Sequence, residues 1–238
     1  EQLGWHAVFG LALVPVALAW LVFFFLAKEP PKTLQPSGGI FSLLAESDAR
    51  WLCAFYVVTF GGFVGLAGYL PIFFVDRFGI TKVAAAGFAA LCAASGSFLR
   101  PFGGTFADRF GGTRVLSMVL GAIAALAVAL ATLPGLGATV VLMFCTLGAL
   151  GIGNGAVFQL VPQRYPSRIG AMTGLVGAAG GVGGFLLPFE FGSLVSSTGT
   201  FATGFVLFGC ASGLACAAVA WRQRVWRRSW ELAVEVAV

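Results

Sequence analysis

The stretch SGSFLRPFGGTFADRFGGTR, residues 95–114, places a single arginine, Arg100, in an apolar run that ends in a loop of glycines and charged residues. If the run is a membrane-spanning helix, Arg100 lies eight residues before Asp108, which is about 12 Å along the helix axis. In a bilayer with a hydrocarbon core about 30 Å thick, this depth is close to the midplane. An arginine there costs roughly 2.5–3.5 kcal/mol to insert, so it marks a candidate functional site.

The composition is that of an integral membrane protein. The chain has 238 residues, of which 59% are hydrophobic and 10% charged, whereas soluble domains contain about 25% charged residues. The expected surroundings are therefore a lipid bilayer. The net charge of +5 comes from basic residues scattered through short loops and a tail. No RNP, zinc-finger or helix-turn-helix pattern accompanies them, so nucleic-acid binding is not expected.

The residues that usually carry catalysis or bind metals are sparse. The only histidine is His6, and five cysteines lie in apolar stretches without CxxC spacing. We interpret these cysteines as small packing residues. No nucleophile, base and orienting group occur together, so neither an enzyme, a metal site nor a cofactor is expected.

Hydropathy and turn residues predict an all-α membrane protein with seven transmembrane helices. The predicted spans are residues 6–26, 50–75, 83–107, 115–133, 138–161, 169–195 and 201–221. The longest polar segment separates the first span from the other six.

The distribution of lysine and arginine predicts the orientation of these spans. With the C-terminal tail inside, eleven basic residues lie on the inner side and two on the outer side. The inner residues are Lys28, Lys32, Arg50, Arg109, Arg114, Arg164, Arg168, Arg222, Arg224, Arg227 and Arg228, and the outer residues are Arg77 and Lys82. The positive-inside rule therefore predicts a cytoplasmic C-terminus, and Arg100 is the basic residue left in the membrane interior.

One span, a polar linker and six further spans indicate the end of one helical bundle followed by a complete second bundle. Transporters built from two six-helix halves have this layout. We expect residues 1–27 to be the last helix of an N-terminal bundle and residues 28–49 a cytoplasmic linker. Residues 50–222 would form the C-terminal six-helix bundle, and residues 223–238 a cytoplasmic basic tail. The chain begins with Glu1 and has no basic leader, so we expect a fragment that lacks the rest of the N-terminal half.

The loop after the third span combines glycines with charges. Gly104, Asp108, Arg109, Gly111 and Arg114 suit a tight turn with an Asp–Arg network that locks or releases neighbouring helix ends. The pattern resembles the cytoplasmic loop motif of the major facilitator superfamily, in the copy that joins helices 8 and 9. The alternative is an ordinary polar turn between two helices.

Arg100 has no predicted carboxylate partner at its own depth. Asp76 and Glu190 fall near the outer ends of their spans, and Asp108 falls at the inner end. An unpaired guanidinium favours a carboxylate, phosphate or other planar oxyanion, which it grips with two N–H groups. Anion binding is therefore the favoured interpretation, with snorkelling or a structural ion pair as alternatives.

Two other spans carry candidate site residues. Tyr56 and Phe60 are four residues apart in the second span and share a helix face, although such pairs commonly serve packing. Asn154 in the fifth span lies between Gly153 and Gly155. This arrangement suits either a polar site or an interhelical hydrogen bond.

The sixth span is unusually rich in glycine. Gly170, Gly174, Gly177, Gly181 and Gly184 alternate in spacings of four and three, which puts them on one helix face, and Gly180 and Gly183 thin the helix further. This density suggests a helix that slides or bends against a neighbour, with Pro188 as a kink, and a static packing seam is the alternative.

Three segments together, RPFGGTFADRFGG, GNGAVFQLVPQRYP and GAAGGVGGFLLP, resemble the nitrate/nitrite porter family of the major facilitator superfamily. The resemblance identifies the first span with helix 6, and it implies that Arg100 grips the anion and that Tyr56 and Phe60 help to form the site. The glycine-rich span resembles the family's second nitrate signature, through Gly174, Gly177, Gly180, Gly181, Gly183 and Gly184.

The resemblance implies alternating-access transport of nitrate and nitrite across the bacterial inner membrane. The family's second arginine, on helix 2, and its first signature, on helix 5, lie outside the chain. Transport of another small inorganic or organic anion is an alternative, as is a non-transporting membrane fragment or interaction subunit. Proton symport and nitrate/nitrite exchange both remain open.

Overall fold

The structure is a computed structural model that describes residues 4–27 and 40–235. Seven helical segments of this part are long and apolar enough to cross a membrane, which confirms the predicted all-α fold with seven spans. The helices are α1 (Trp5–Leu26), α2 (Ser47–Tyr56), α3 (Gly62–Phe78), α4 (Lys82–Phe110), α5 (Gly112–Ala131), α6 (Leu136–Arg164), α7 (Ile169–Thr198) and α8 (Ala202–Glu235). Short 3-10 segments precede α2 at Ile40–Ala45 and α7 at Pro166–Arg168.

The chain divides into two compact units, Glu1–Gln35 and Pro36–Val238. The first contains α1, whose mean hydropathy of 2.5 over its apolar window suits a membrane span despite Pro15 within it. The second contains α2–α8. The predicted linker lies largely outside the described residues, and α8 continues through most of the predicted tail. The predicted domain division itself stays a prediction.

A single π-helical turn, Val57–Gly61, joins α2 to α3 within one span, Ser47–Phe78. A π-turn inserts an extra residue into the helix and is often found at functional sites. It packs closely on α7, because a Cβ atom on Gly61 would lie 2.7 Å from the Cα of Gly183. The period of the apolar residues did not predict this turn.

Glycines bring α4 and α6 into backbone contact. A Cβ atom on Gly151 would lie 2.1 Å from the carbonyl oxygen of Gly96, and one on Gly155 would lie 2.2 Å from that of Arg100. Real Cβ atoms do not approach so closely, so only glycine allows this crossing. The crossing fixes the backbone of Arg100 against α6.

The connection between α4 and α5 is shorter than predicted. Asp108 and Arg109 lie in the last turn of α4, and α5 begins at Gly112. The chain reverses at Gly111, whose φ of 92° is a conformation that other residues rarely adopt. The glycine-and-charge stretch is therefore mostly helical, with a one-residue turn.

Candidate functional site

Arg100 and Tyr56 meet inside the bundle. The Nη2 atom of Arg100 on α4 donates a hydrogen bond to the hydroxyl oxygen of Tyr56 on α2 over 2.7 Å. Tyr56 is 2% exposed, and Arg100 is half-buried. The structure thus brings together two of the residues that the sequence singled out.

Two further aromatic rings, those of Phe60 and Phe158, lie beside this pair. The guanidinium carbon of Arg100 lies 5.4 Å from the centre of the Phe60 ring and 5.7 Å from that of Phe158. Tyr56 stacks on Phe60 with ring centres 4.9 Å apart and meets Phe158 edge to face, also at 4.9 Å. Both distances to Arg100 are within cation–π range. The guanidinium is therefore packed against aromatic side chains.

Phe158 was not predicted as a site residue. It lies one helical turn after Asn154, in the segment GNGAVFQLVPQRYP. A single phenylalanine in an apolar helix carries no spacing signal, and only the crossing of α4 with α6 reveals its position beside Arg100.

A cavity of about 630 Å³ opens beside the guanidinium. Its lining includes Ser97, Arg100, Gly104, Asp108, Phe158 and Gln159. Within the described residues, Arg100 forms no ion pair with a carboxylate. A guanidinium carries five N–H donors, and Tyr56 accepts from one nitrogen of this group. The side chain can therefore bind an anion that enters the cavity.

Gly180 on α7 backs the aromatic pair. A Cβ atom at this position would lie 2.5 Å from Cδ1 of Tyr56 and 2.9 Å from Cδ1 of Phe60. One turn further along the helix, a Cβ atom on Gly183 would lie 2.7 Å from the carbonyl oxygen of Val57. These glycines allow α7 to pack directly on the residues of the site.

The remaining glycines of α7 differ in their surroundings. A Cβ atom on Gly184 would lie 3.0 Å from the Val64 side chain, and one on Gly174 would lie 3.8 Å from Ile40. Gly177 and Gly181 have no described atom within 4 Å of such a Cβ. The close packing thus involves Gly180, Gly183 and Gly184, and it does not follow the predicted five-glycine face, because the π-turn on α2–α3 contacts the neighbouring face of α7.

Asn154 is not among the residues that line the cavity. Its side chain is 1% exposed, and its Oδ1 atom has no hydrogen-bond partner among the described residues. The Oγ1 atom of Thr59, in the π-turn, is likewise buried without a hydrogen-bond partner among the described residues. In the described part of the chain no hydrogen bond joins the Asn154 side chain to Arg100, and the substrate role of Asn154 stays a prediction.

The charged residues at the α4–α5 turn form a different contact from the predicted network. Asp108 accepts a hydrogen bond from Nε2 of Gln159 on α6 over 2.9 Å. Arg109 and Arg114 are exposed, and in the part of the chain that the structure covers neither forms an ion pair with Asp108. Gly104 lines the cavity. The turn therefore links α4 to α6 through an amide–carboxylate hydrogen bond.

Comparison with known proteins relates the chain to one family. The family model of the Major Facilitator Superfamily matches residues 1–188. A nitrite extrusion protein of Bacillus subtilis (strain 168) is 31% identical over 214 residues, covering 87% of this chain and 53% of that protein. A probable nitrate transporter NarT of Staphylococcus haemolyticus is 32% identical over 226 residues, covering 90% and 56% respectively.

A third relative, the probable nitrate/nitrite antiporter NarK1 of Thermus thermophilus, is 34% identical over 231 residues, covering 86% of this chain and 52% of that protein. The chain thus spans about half the length of the curated relatives it matches.

Proposed function

Because the chain belongs to the major facilitator superfamily, we propose that it forms the C-terminal bundle, together with helix 6, of a transporter that carries nitrate and nitrite across the bacterial inner membrane. The names of the relatives above support these substrates. In this proposal an N-terminal bundle, comparable to the part of the relatives that this chain does not match, supplies the other side of the site.

The observation that carries the proposal is the environment of Arg100. The guanidinium lies between Phe60 and Phe158, is oriented by Tyr56 and lines an open cavity. A planar guanidinium matches a planar oxyanion through two parallel N–H···O hydrogen bonds. Nitrate and nitrite are both planar, so their shape and charge suit this position.

Electrostatics supports the same conclusion. A charge in the membrane interior costs roughly 2.5–3.5 kcal/mol. An anion 4 Å away returns about 4 kcal/mol at an effective dielectric constant of 20. The substrate would therefore compensate for the cost of this half-buried arginine, which forms no ion pair with a carboxylate in the described residues.

The geometry also suggests a separate role for each residue of the proposed site. Arg100 supplies the charge, and the hydroxyl of Tyr56 accepts a hydrogen bond from one of its nitrogens and can donate a hydrogen bond to the anion. Phe60 and Phe158 exclude water from two sides of the site. In alternating access two bundles rock around a site near the midplane, and the cavity from Arg100 to Asp108 is the path that we assign to the cytoplasmic side.

The test is nitrate uptake into proteoliposomes that contain the complete transporter. Arg100→Ala removes the charge and is expected to abolish uptake. The matched control is Arg224→Ala, which removes an exposed arginine from α8 and is expected to retain uptake. Wild-type uptake by Arg100→Ala would contradict the proposal.

Competition with nitrite, chloride and formate in the same assay tests the substrate. Inhibition by nitrite alone supports nitrate/nitrite transport. Equal inhibition by formate would instead indicate a carrier of small carboxylates, since a carboxylate also fits the guanidinium fork.

A further inference from the structure

A buried charge cluster lies at the end of the bundle where α2 begins. The carboxylate of Asp48, which is 7% exposed, accepts hydrogen bonds from Arg164 and Arg222. It also accepts one from Nε1 of Trp226 over 2.9 Å. Arg164 belongs to α6, whereas Arg222 and Trp226 belong to α8. We name these four residues the Asp48 cluster, and it joins three helices through one carboxylate.

Aromatic contacts reinforce the same connection. Trp51 stacks on Phe55 within α2 at 5.7 Å and meets Trp221 of α8 edge to face at 6.2 Å. The guanidinium of Arg222 also lies over the Trp226 ring, 5.7 Å from its centre. The beginning of α2 is thus held against α8 by charge and by ring packing.

Two of the helices that the cluster joins, α2 and α6, also carry residues that contact Arg100. Asp48 precedes Tyr56 by eight residues on α2, about 12 Å along the helix. Arg164 follows Phe158 by six residues on α6, about 9 Å. The edge-to-face contact of Tyr56 with Phe158 therefore depends on how α2 and α6 are spaced at the cluster.

We propose that Asp48 is a positioning residue for the anion site. By tying α2 to α6 and α8, its carboxylate holds the Tyr56 hydroxyl and the Phe158 ring at the separation that lets both contact the Arg100 side chain. The inference rests on the proposed anion-binding function. Loss of the carboxylate leaves Arg164 and Arg222 without the negative charge that both of them bind, which separates the helices that it joined.

A double-mutant cycle on the complete transporter tests this inference, with nitrate affinity measured by isothermal titration calorimetry. Asp48→Asn is expected to weaken nitrate binding about tenfold in the wild-type background and only about threefold when Tyr56→Phe is already present, because the hydroxyl contact with Arg100 is then already lost and only the Phe158 contact remains to be displaced. A general loss of stability would instead weaken binding equally in both backgrounds. An equal loss, or no loss in the wild-type background, would overturn the inference.

Two further variants keep the test decisive. Asp76→Asn makes the same substitution at the exposed outer end of the same span and is expected to leave affinity unchanged. Should Asp48→Asn fail to fold, Trp226→Phe removes one hydrogen bond from the cluster, and about threefold weaker binding is expected, again suppressed by Tyr56→Phe. A loss of nitrate affinity that Tyr56→Phe does not reduce, or no loss of affinity at all, would contradict the inference.

The wild-type protein separates this inference from the proposed function. If it does not bind nitrate, the proposed function fails and the inference falls with it. If it binds nitrate and Asp48→Asn leaves the affinity unchanged, only the inference fails.

Discussion

Replacing Gly180 by alanine is expected to displace the aromatic pair beside Arg100. The added Cβ atom would lie 2.5 Å from Cδ1 of Tyr56, whereas carbon atoms in contact are about 3.5–4.0 Å apart, so the ring must move by about 1 Å. The Tyr56 hydroxyl lies 2.7 Å from Nη2 of Arg100. A displacement of this size disrupts that hydrogen bond.

Two energies set the size of the effect. Overpacking a helix contact costs about 1–3 kcal/mol, and losing a hydrogen bond to a charged group costs about 1.5–3 kcal/mol. The lower limits of these two costs add to about 2.5 kcal/mol. If half of this free energy is lost from nitrate binding, the affinity falls roughly tenfold. Isothermal titration calorimetry of the complete transporter gives the affinity, and thermal unfolding gives the accompanying loss of stability.

Gly192→Ala is the matched control for this prediction. Gly192 lies on the same helix, and a Cβ atom there meets no described atom within 4 Å. It is expected to bind nitrate as the wild type does. The reasoning is refuted if folded Gly180→Ala keeps wild-type affinity, or if Gly192→Ala loses as much.

Three further predictions concern single contacts. Phe158→Leu removes a cation–π contact of about 0.5–2 kcal/mol and should weaken nitrate binding roughly twofold to thirtyfold by calorimetry; unchanged affinity would contradict a role for this ring. Tyr56→Phe removes a hydrogen bond to Arg100 worth about 1.5–3 kcal/mol and should weaken nitrate binding at least about tenfold. Nitrate affinity equal to that of the wild type would contradict a role for the hydroxyl. Gly111→Ala forces a side chain into a backbone with φ of 92°, so it should destabilise the fold by about 1–3 kcal/mol in thermal unfolding. An unchanged unfolding midpoint would show that the turn tolerates a side chain.

The sequence predicted the spans, and it singled out residues that meet in the structure, because two signals are strong in membrane proteins. Apolar runs of helical length identify the spans with little ambiguity. A lone arginine in such a run stands out because it is costly, and Arg100 was found in this way. Tyr56 and Phe60 share a face by spacing alone, but their contact with Arg100 depends on how two helices pack.

Other features depend on tertiary packing that no local pattern encodes. Nothing in the sequence distinguishes Phe158 from the other phenylalanines, because its position beside Arg100 results from the crossing of α4 with α6. The π-turn at Val57–Gly61 leaves the apolar content of the span unchanged, and it changes which glycines of α7 are in close contact. The Asp48 cluster joins residues more than 100 positions apart, and sequence spacing carries no information about such a contact.

The most direct test of the account is the nitrate affinity of Arg100→Lys in the complete transporter, measured by calorimetry beside the wild type. Lysine keeps the positive charge but loses the planar pair of N–H donors. At least about tenfold weaker binding is expected, since two charge-assisted hydrogen bonds no longer form together. Nitrate affinity equal to that of the wild type would contradict the claim that Arg100 grips a planar oxyanion.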